Sequence, residues 1–259
     1  MAKTAWVRFP YAAEGYAYPG AALKKFWAKL HRGDREPFPA GEDVRNAWRA
    51  FHAGDFGRAI EAGRALGLEG YNAANKSAAI YASYLETSDA RKLKLLEAAM
   101  ERAEELQETE PGNANAFYLY ALAAGRYSQD ISLAKALAQG LGGRVREALE
   151  TTLELEPKHA DAHIALGAWH AEIVAKVGAM AARLTYGASR DAALEHFGKA
   201  AKLNPGSAIA RVEYARHLVL LFGEERAEAA AKLYAQAAKS KPMDAMERLD
   251  VEAAREALG

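Results

Sequence analysis

The sequence predicts an all-α fold, a solenoid of about five helical pairs that carries insertions and is closed by a C-terminal helix. Three observations predict it. Alanine, the strongest helix former and a residue small enough to let helix axes approach, occurs 61 times in 259 residues. The eight prolines cluster at the start or stand far apart, so long stretches run without a helix breaker. Four segments end alike, each a helical run into a proline: Leu106 to Pro111, Leu153 to Pro157, Ala201 to Pro205 and Ala238 to Pro242. After the first three, a polar residue leads into a new apolar helix beginning at Ala114, Ala160 or Ala208. The unit therefore reads helix, turn, helix, proline.

Composition narrows the function classes. With 34 Lys+Arg against 34 Asp+Glu the chain has no net charge, which disfavours a nucleic-acid partner, because such binding needs a basic footprint. Hydrophobic residues at 51% and charged residues at 26% are enough to build a core. The absence of cysteine excludes disulfide frameworks, thiolate zinc sites and cysteine nucleophiles. In the C-terminal half the longest uninterrupted apolar run, Leu218 to Phe222, is far below the roughly 18 residues of a membrane span. The first ten residues contain no apolar block of the signal-peptide kind. The expectation is a cytoplasmic chain with no integral membrane segment.

Residues 1 to 41 form an aromatic, basic arm and helix. Residues 1 to 51 hold ten of the 24 aromatics, and residues 1 to 41 carry Lys3, Arg8, Lys24, Lys25, Lys29, Arg32 and Arg35 against Glu14, Asp34 and Glu36. Leu23, Phe26, Trp27 and Leu30 make an apolar stripe opposite Lys24, Lys25 and Lys29. Such a helix either docks on the first repeat as a cap or lies on an anionic membrane surface. The dipeptides Phe9-Pro10 and Tyr18-Pro19 favour an extended lead-in that is long enough to enter the protein's own groove.

Residues 42 to 242 hold the five pairs. The first spans Trp48 to Leu68 around Ala53-Gly54-Asp55-Phe56. The second spans Ser77 to Pro111, with Ile80, Tyr81 and Tyr84 on its first helix and Ala99, Ala103 and Leu106 on its second. The later pairs carry small, aromatic, small patterns, Ala193-Phe197-Ala200 and Ala230-Tyr234-Ala237, and large-plus-small pairs, Leu166-Gly167 and Tyr214-Ala215. These features resemble the tetratricopeptide repeat, whose unit of about 34 residues ends in proline. The resemblance implies a right-handed superhelix. Residues 243 to 259 then supply a capping helix, Asp244 to Leu258, whose charged residues suit a solenoid's outer face.

The spacings between successive terminal prolines, 46, 48 and 37 residues, exceed the nominal repeat of about 34. Helix phasing places two long insertions near residues 128 to 143 and 174 to 189, between the helices of their units, so they should be neighbours along one edge. Both are helix-like and end in glycine turns. Leu166 to Ile173, the Arg183-Leu184-Thr185-Tyr186-Gly187 end of the second insertion and Ala193 to Ala200 together resemble the regulator of microtubule dynamics family, its bacterial members in particular, over about residues 114 to 242. Eukaryotic members are associated with microtubules and mitochondria, and some have membrane anchors or lipid-handling roles. The microtubule role is not carried over to this chain.

Phasing assigns the inner surface to Asn75, Ala78, Asn115, Tyr118, Leu122, Asp161, Ile164, Ala168, Ile209, Val212 and Arg216. This mix is more apolar than a carboxylate clamp and fits a helix or extended peptide. Arg126, Lys135, Arg144, Arg146, Lys176 and Arg183 gather in sequence around the insertions, a basic anion or acidic-peptide site unless they are solvated or paired with Glu147, Glu150 and Glu172. His163 and His170 share a helical face, where this repeat places packing aromatics, so they read as structural rather than metal-binding. No nucleophile elbow, phosphate loop or dinucleotide fingerprint occurs. The sequence thus points to a non-enzymatic scaffold holding a protein or peptide partner in its groove, with no cofactor and no metal. The rival is a small-molecule or lipid-binding solenoid whose insertions roof a pocket.

Overall fold

The structure is a computed structural model that describes residues 5–13 and 15–259, with the backbone alone at Leu133. Lys3 and Glu14, both part of the N-terminal charge balance, lie outside the described residues. The described chain is helical, in the order α1 (Ala22–Leu30), α2 (Glu42–His52), α3 (Phe56–Ala65), α4 (Tyr71–Tyr84), α5 (Asp89–Thr109), α6 (Ala114–Asp130), α7 (Leu133–Ala138), α8 (Leu141–Leu155), α9 (Ala160–Val177), the single turn α10 (Ala179–Ala181), α11 (Arg190–Leu203), α12 (Ala208–Phe222), α13 (Ala227–Ala238) and α14 (Ala245–Glu256).

Local chemistry starts these helices where the prolines demand it. In all four terminators the second residue after proline becomes the N-cap. Asn113, His159, Ser207 and Asp244 each accept the backbone N–H three residues on, at 3.3, 2.9, 3.2 and 2.8 Å. Such a cap contributes about 1 kcal/mol. Proline ends one helix and the cap starts the next, with four residues between the helices at Pro111, Pro157 and Pro205 and six at Pro242.

The helices pack as five antiparallel pairs, α2/α3, α4/α5, α6/α8, α9/α11 and α12/α13, each stacked on the next. Their first helices touch one another in series, α2 to α4 to α6 to α9 to α12, and form the inner wall. Small residues set the close approaches: a side chain at Gly167 would meet Phe197 and the Ala193 carbonyl at 3.2 Å. Ala193, Phe197 and Ala200 are buried, as are Ala99, Ala103 and Leu106. This is the all-α tetratricopeptide-like solenoid that the sequence predicts.

The two ends turn inward. α1 packs its stripe against α2, with Trp27 edge-on to Trp48 at a ring separation of 5.8 Å and its indole donating to the Glu36 carbonyl. The docking reading of that helix is therefore the one adopted, since Leu23, Trp27 and Leu30 are buried and unavailable to a membrane. The extended lead-in does not enter the groove; Trp6 lies edge-on to Tyr81, Phe9 sits over Gly54, and the Tyr18 hydroxyl donates to the Met243 carbonyl at 2.6 Å. It is the segment after α1 that fills part of the inner face. α14 packs on α12 and α13 and reaches across to α2, so it is more than an outer cap. Asp244 meets His52 at 2.8 Å and Tyr84 donates to Asp250 at 2.6 Å. Asp250 is buried rather than on a polar outer face.

Candidate functional site

The inner wall, α14 and the two insertions together enclose a cavity of about 260 Å³. A single water needs only about 15 Å³, so this is a ligand-sized space. Its apolar wall comes from Ile80, Leu122, Val145, Ile164, Ile209 and Met246, and its roof from Leu137, Leu141, Trp169, Ile173, Val177 and Tyr186. One polar side carries Lys76, Tyr84, Arg126, Asp161, Glu213 and Asp250.

The roof is built by the insertions, which meet as their phasing predicts. α7 and the Gly140 turn, left-handed at φ 62°, bring Leu141 and Gly142 over the inner wall. Trp169 donates to the Gly142 carbonyl at 2.8 Å. From the second insertion, a π-helical turn at Ala182–Tyr186 ends in the left-handed Gly187, and Arg146 donates to the Tyr186 carbonyl at 2.7 Å. The first bond ties α9 to the start of α8, where the first insertion ends, and the second ties α8 to the second insertion.

On the polar side, Arg126 and Arg216 lie 3.2 and 3.0 Å from the Glu213 carboxylate. Against its own desolvation, those guanidinium charges hold Glu213 below the usual carboxylate range. A hydrogen bond from His217 and the charges of Lys176, His217 and Arg216 pull Glu172 down to about 2. Two carboxyl groups behave oppositely: burial pushes Asp250 up to about 8 and Asp161 up to about 6. Protonated Asp250 at neutral pH is a donor as well as an acceptor toward the cavity.

Beside the cavity, the segment after α1 is locked down by buried charge. Asp34 accepts from Lys76 at 2.5 Å and from His31 Nδ1 at 3.0 Å. The Glu36 carboxyl group accepts from Asn72 at 3.1 Å and Asn115 at 2.6 Å, and the Gly33 carbonyl accepts the Asp161 N–H at 3.1 Å. α4, α6 and α9 are thereby stitched together from inside.

The predicted groove residues separate into two groups. Tyr118, Leu122, Asp161, Ile164, Ile209 and Arg216, with Ala168, line the cavity. Asn75, Asn115 and Val212 do not face an open groove: Asn75 accepts from Arg102 at 2.8 Å, Asn115 joins Glu36 to His159, and Val212 packs beneath α14 beside Val251. The physical reason is that the chain's own ends cover Asn115 and Val212 on the concave face, while Asn75 turns toward Arg102 of α5, the second helix of its own pair.

The six basic residues do not converge on one anion site. Arg126 and Lys176 line the cavity, paired with Glu213 and Glu172. Arg144 pairs with Glu104, Arg146 with Glu150 at 2.8 Å, and Lys135 sits over the Tyr127 ring at 5.3 Å. Arg183 is exposed on the second insertion, with no ion pair among the described residues. Of the histidines, His163 and His196 face each other at 2.8 Å through Nδ1 atoms and His170 stacks on His196. Burial pushes all three down to about 4, so they are neutral packing rings at pH 7.

Sequence reasoning missed Lys76, Tyr84, Glu213, Met246 and Asp250. A lysine inside Ala73-Ala74-Asn75-Lys76-Ser77-Ala78-Ala79 was a usable signal, because a charged residue amid such small ones has little solvent of its own. Met246 and Asp250 carried none, since they reach the cavity only through the return of α14.

The profile of the family described as regulator of microtubule dynamics protein 1-3 matches residues 71–258. No curated protein matches the chain. Among solved structures, a thermophilic TPR protein of Thermus thermophilus superposes with a TM-score of 0.58 at 18% identity, covering 83% of this chain and 98% of that one. At that identity the likeness speaks for the fold alone.

Proposed function

The chain belongs to the regulator of microtubule dynamics protein 1-3 family, and from this helical-repeat scaffold we propose a non-enzymatic binder that encloses an apolar small molecule, an acyl-chain-bearing ligand fitting best, beneath its two insertions. The observation that carries the reading is the cavity itself, about 260 Å³ with aliphatic walls and one polar side. Binding sites for small molecules are concave, mostly apolar and supplied with a few polar groups that orient the ligand. A chain lying along Ile164, Ile209 and Leu122 would turn its polar end toward Arg126, Arg216 and Asp250.

A peptide in the concave groove, favoured from the sequence, has less support. Asp34, Glu36 and α14 take the space such a peptide would need. The cytoplasmic expectation stands beside a plainer fact: among the described residues no helix is long and apolar enough to cross a membrane.

Native mass spectrometry of the chain purified without detergent tests the proposal, together with uptake of a pyrene-labelled fatty acid. Retention or saturable uptake by the wild type, lost in Ala168→Trp at an unchanged melting temperature, is the expected result. A wild-type chain that neither retains a small molecule nor takes up the probe overturns it.

A further inference from the structure

We propose that the polar side of the cavity recognises a protonated amine, so that the ligand is a cation carried on an apolar body. The inference rests on the cavity taking an apolar ligand and concerns only that ligand's polar end. Pairing on this side is unequal. Each cation there already faces a carboxylate: Lys76 meets Asp34 at 2.5 Å, Arg126 and Arg216 lie 3.2 and 3.0 Å from Glu213, and Lys176 lies 3.5 Å from Glu172. Two acids in the same wall, Asp161 and Asp250, form no ion pair among the described residues. Asp161 spends its backbone N–H on the Gly33 carbonyl, while its carboxyl group accepts no hydrogen bond among those residues. A side chain at Gly33 would run into that carboxyl group, so the glycine leaves the space it occupies. Asp250, only 3% exposed, accepts from Tyr84 at 2.6 Å through one oxygen, and its second oxygen has no partner among the described residues. The buried Tyr118 hydroxyl lines the cavity in the same unpartnered way.

These groups lie close together. The charges of Asp161 and Asp250 both raise the Tyr118 hydroxyl, and that of Asp161 raises Asp250. A carboxylate taken out of water without a cation is costly, and both acids show the cost, since burial pushes Asp161 up to about 6 and Asp250 up to about 8. An ammonium supplies the missing charge, and its three N–H donors match the acceptors left open. A carboxylate or phosphate would instead meet two further acids, with Arg126 and Arg216 already held by Glu213. A metal ion suits the site less, because no group of three ligating side chains converges among the described residues. Beside the two acids, the aliphatic wall of Leu122, Ile164 and Ile209 receives the apolar body.

Titration calorimetry of the full chain at neutral pH tests this with three probes that share one alkyl chain: decylamine, decanoate and decanol. The expected result is saturable binding of decylamine, about tenfold or more tighter than either of the others, because a charge-assisted hydrogen bond is worth at least that factor. Asp161→Asn/Asp250→Asn should bring decylamine down to the level of decanol while leaving decanol itself unchanged. Both substitutions keep the shape of the side chain, and a melting curve checks that the variant is folded; the ranking of the three probes by the wild type tests the proposal without any variant. Ala168→Trp, which fills the cavity, should lose all three and so separates binding in the cavity from adsorption on the surface. Decanoate or decanol bound as tightly as decylamine, or a preference for the amine that survives Asp161→Asn/Asp250→Asn, overturns the proposal and leaves the cavity reading standing. Binding of none of the three overturns both.

Discussion

Replacing Lys76 by Met removes the ammonium that Asp34 meets at 2.5 Å, with the two side chains only 4% and 2% exposed. Against the desolvation of each group, the partners hold Lys76 above its usual range and Asp34 well below its own. With Lys76 gone, Asp34 keeps the His31 ring at 3.0 Å and the Glu36 N–H at 3.3 Å, but no cation. Burial pushes His31 down to about 4, so in the wild type its ring adds no positive charge beside Asp34. Breaking a buried ion pair from one side costs about 3 to 5 kcal/mol. For a chain of this size that corresponds to roughly 10 °C in melting temperature. Asp34→Asn should cost less, because Asp161 stands near Lys76 as a second negative group. The double variant Lys76→Met/Asp34→Asn should be more stable than the two single losses added, by about 2 kcal/mol of coupling. Urea unfolding followed by circular dichroism measures all four corners, and an unchanged urea slope checks that the repeats still unfold as one unit. A Lys76→Met variant within about 1 kcal/mol of the wild type would refute the claim that this pair holds the inner segment in place.

Stability should also depend on pH in a stated direction. Burial pushes Glu36 and Asp250 up to about 8 and Glu247 up to about 7, so the folded chain keeps protons that the unfolded chain has released, and stability falls as pH rises from 7 to 8.5. Below pH 6.5 the histidines held near 3 to 4 act the other way, losing stability as pH falls, and the opposed slopes leave a shallow plateau between 5 and 6.5. Glu36→Gln/Asp250→Asn should flatten the alkaline limb in melting curves, and a wild-type limb that is flat or rising from pH 7 to 8.5 would sink this account. Ser207→Ala should cost about 1 kcal/mol by denaturant titration, as an isolated cap does. Asp244→Ala should cost about 3 kcal/mol, because the same residue also holds the buried His52 ring; equal losses for the two would contradict the role given to the His52 contact.

The sequence by itself determined the repeat. Proline terminators, the polar residue that follows the first three before a new apolar helix, and the alternation of small and aromatic residues are local signals, read within a turn or two of the helix they specify. The insertions were legible for the same reason, as surplus length between phased elements, and so was their adjacency. Tyr118, Leu122, Ile164 and Ile209 were identifiable as inner-wall residues because helix phase alone fixes which side of a first helix they occupy.

Tertiary structure alone decided what that inner wall faces. The curvature of a solenoid accumulates from small rotations at every interface, so no local signal says whether residue 244 returns to residue 52. It does, through Asp244 and His52, and α14 then converts a groove into a cavity with Met246 and Asp250 in its wall. The buried pairs obey the same logic. Lys76 and Asp34 are 42 residues apart, and Glu36 and Asn115 are 79 apart. Each buried charge or polar carboxyl group is costly inside the protein unless its partner arrives, and that partner is supplied by the closed superhelix rather than by any neighbour in the chain.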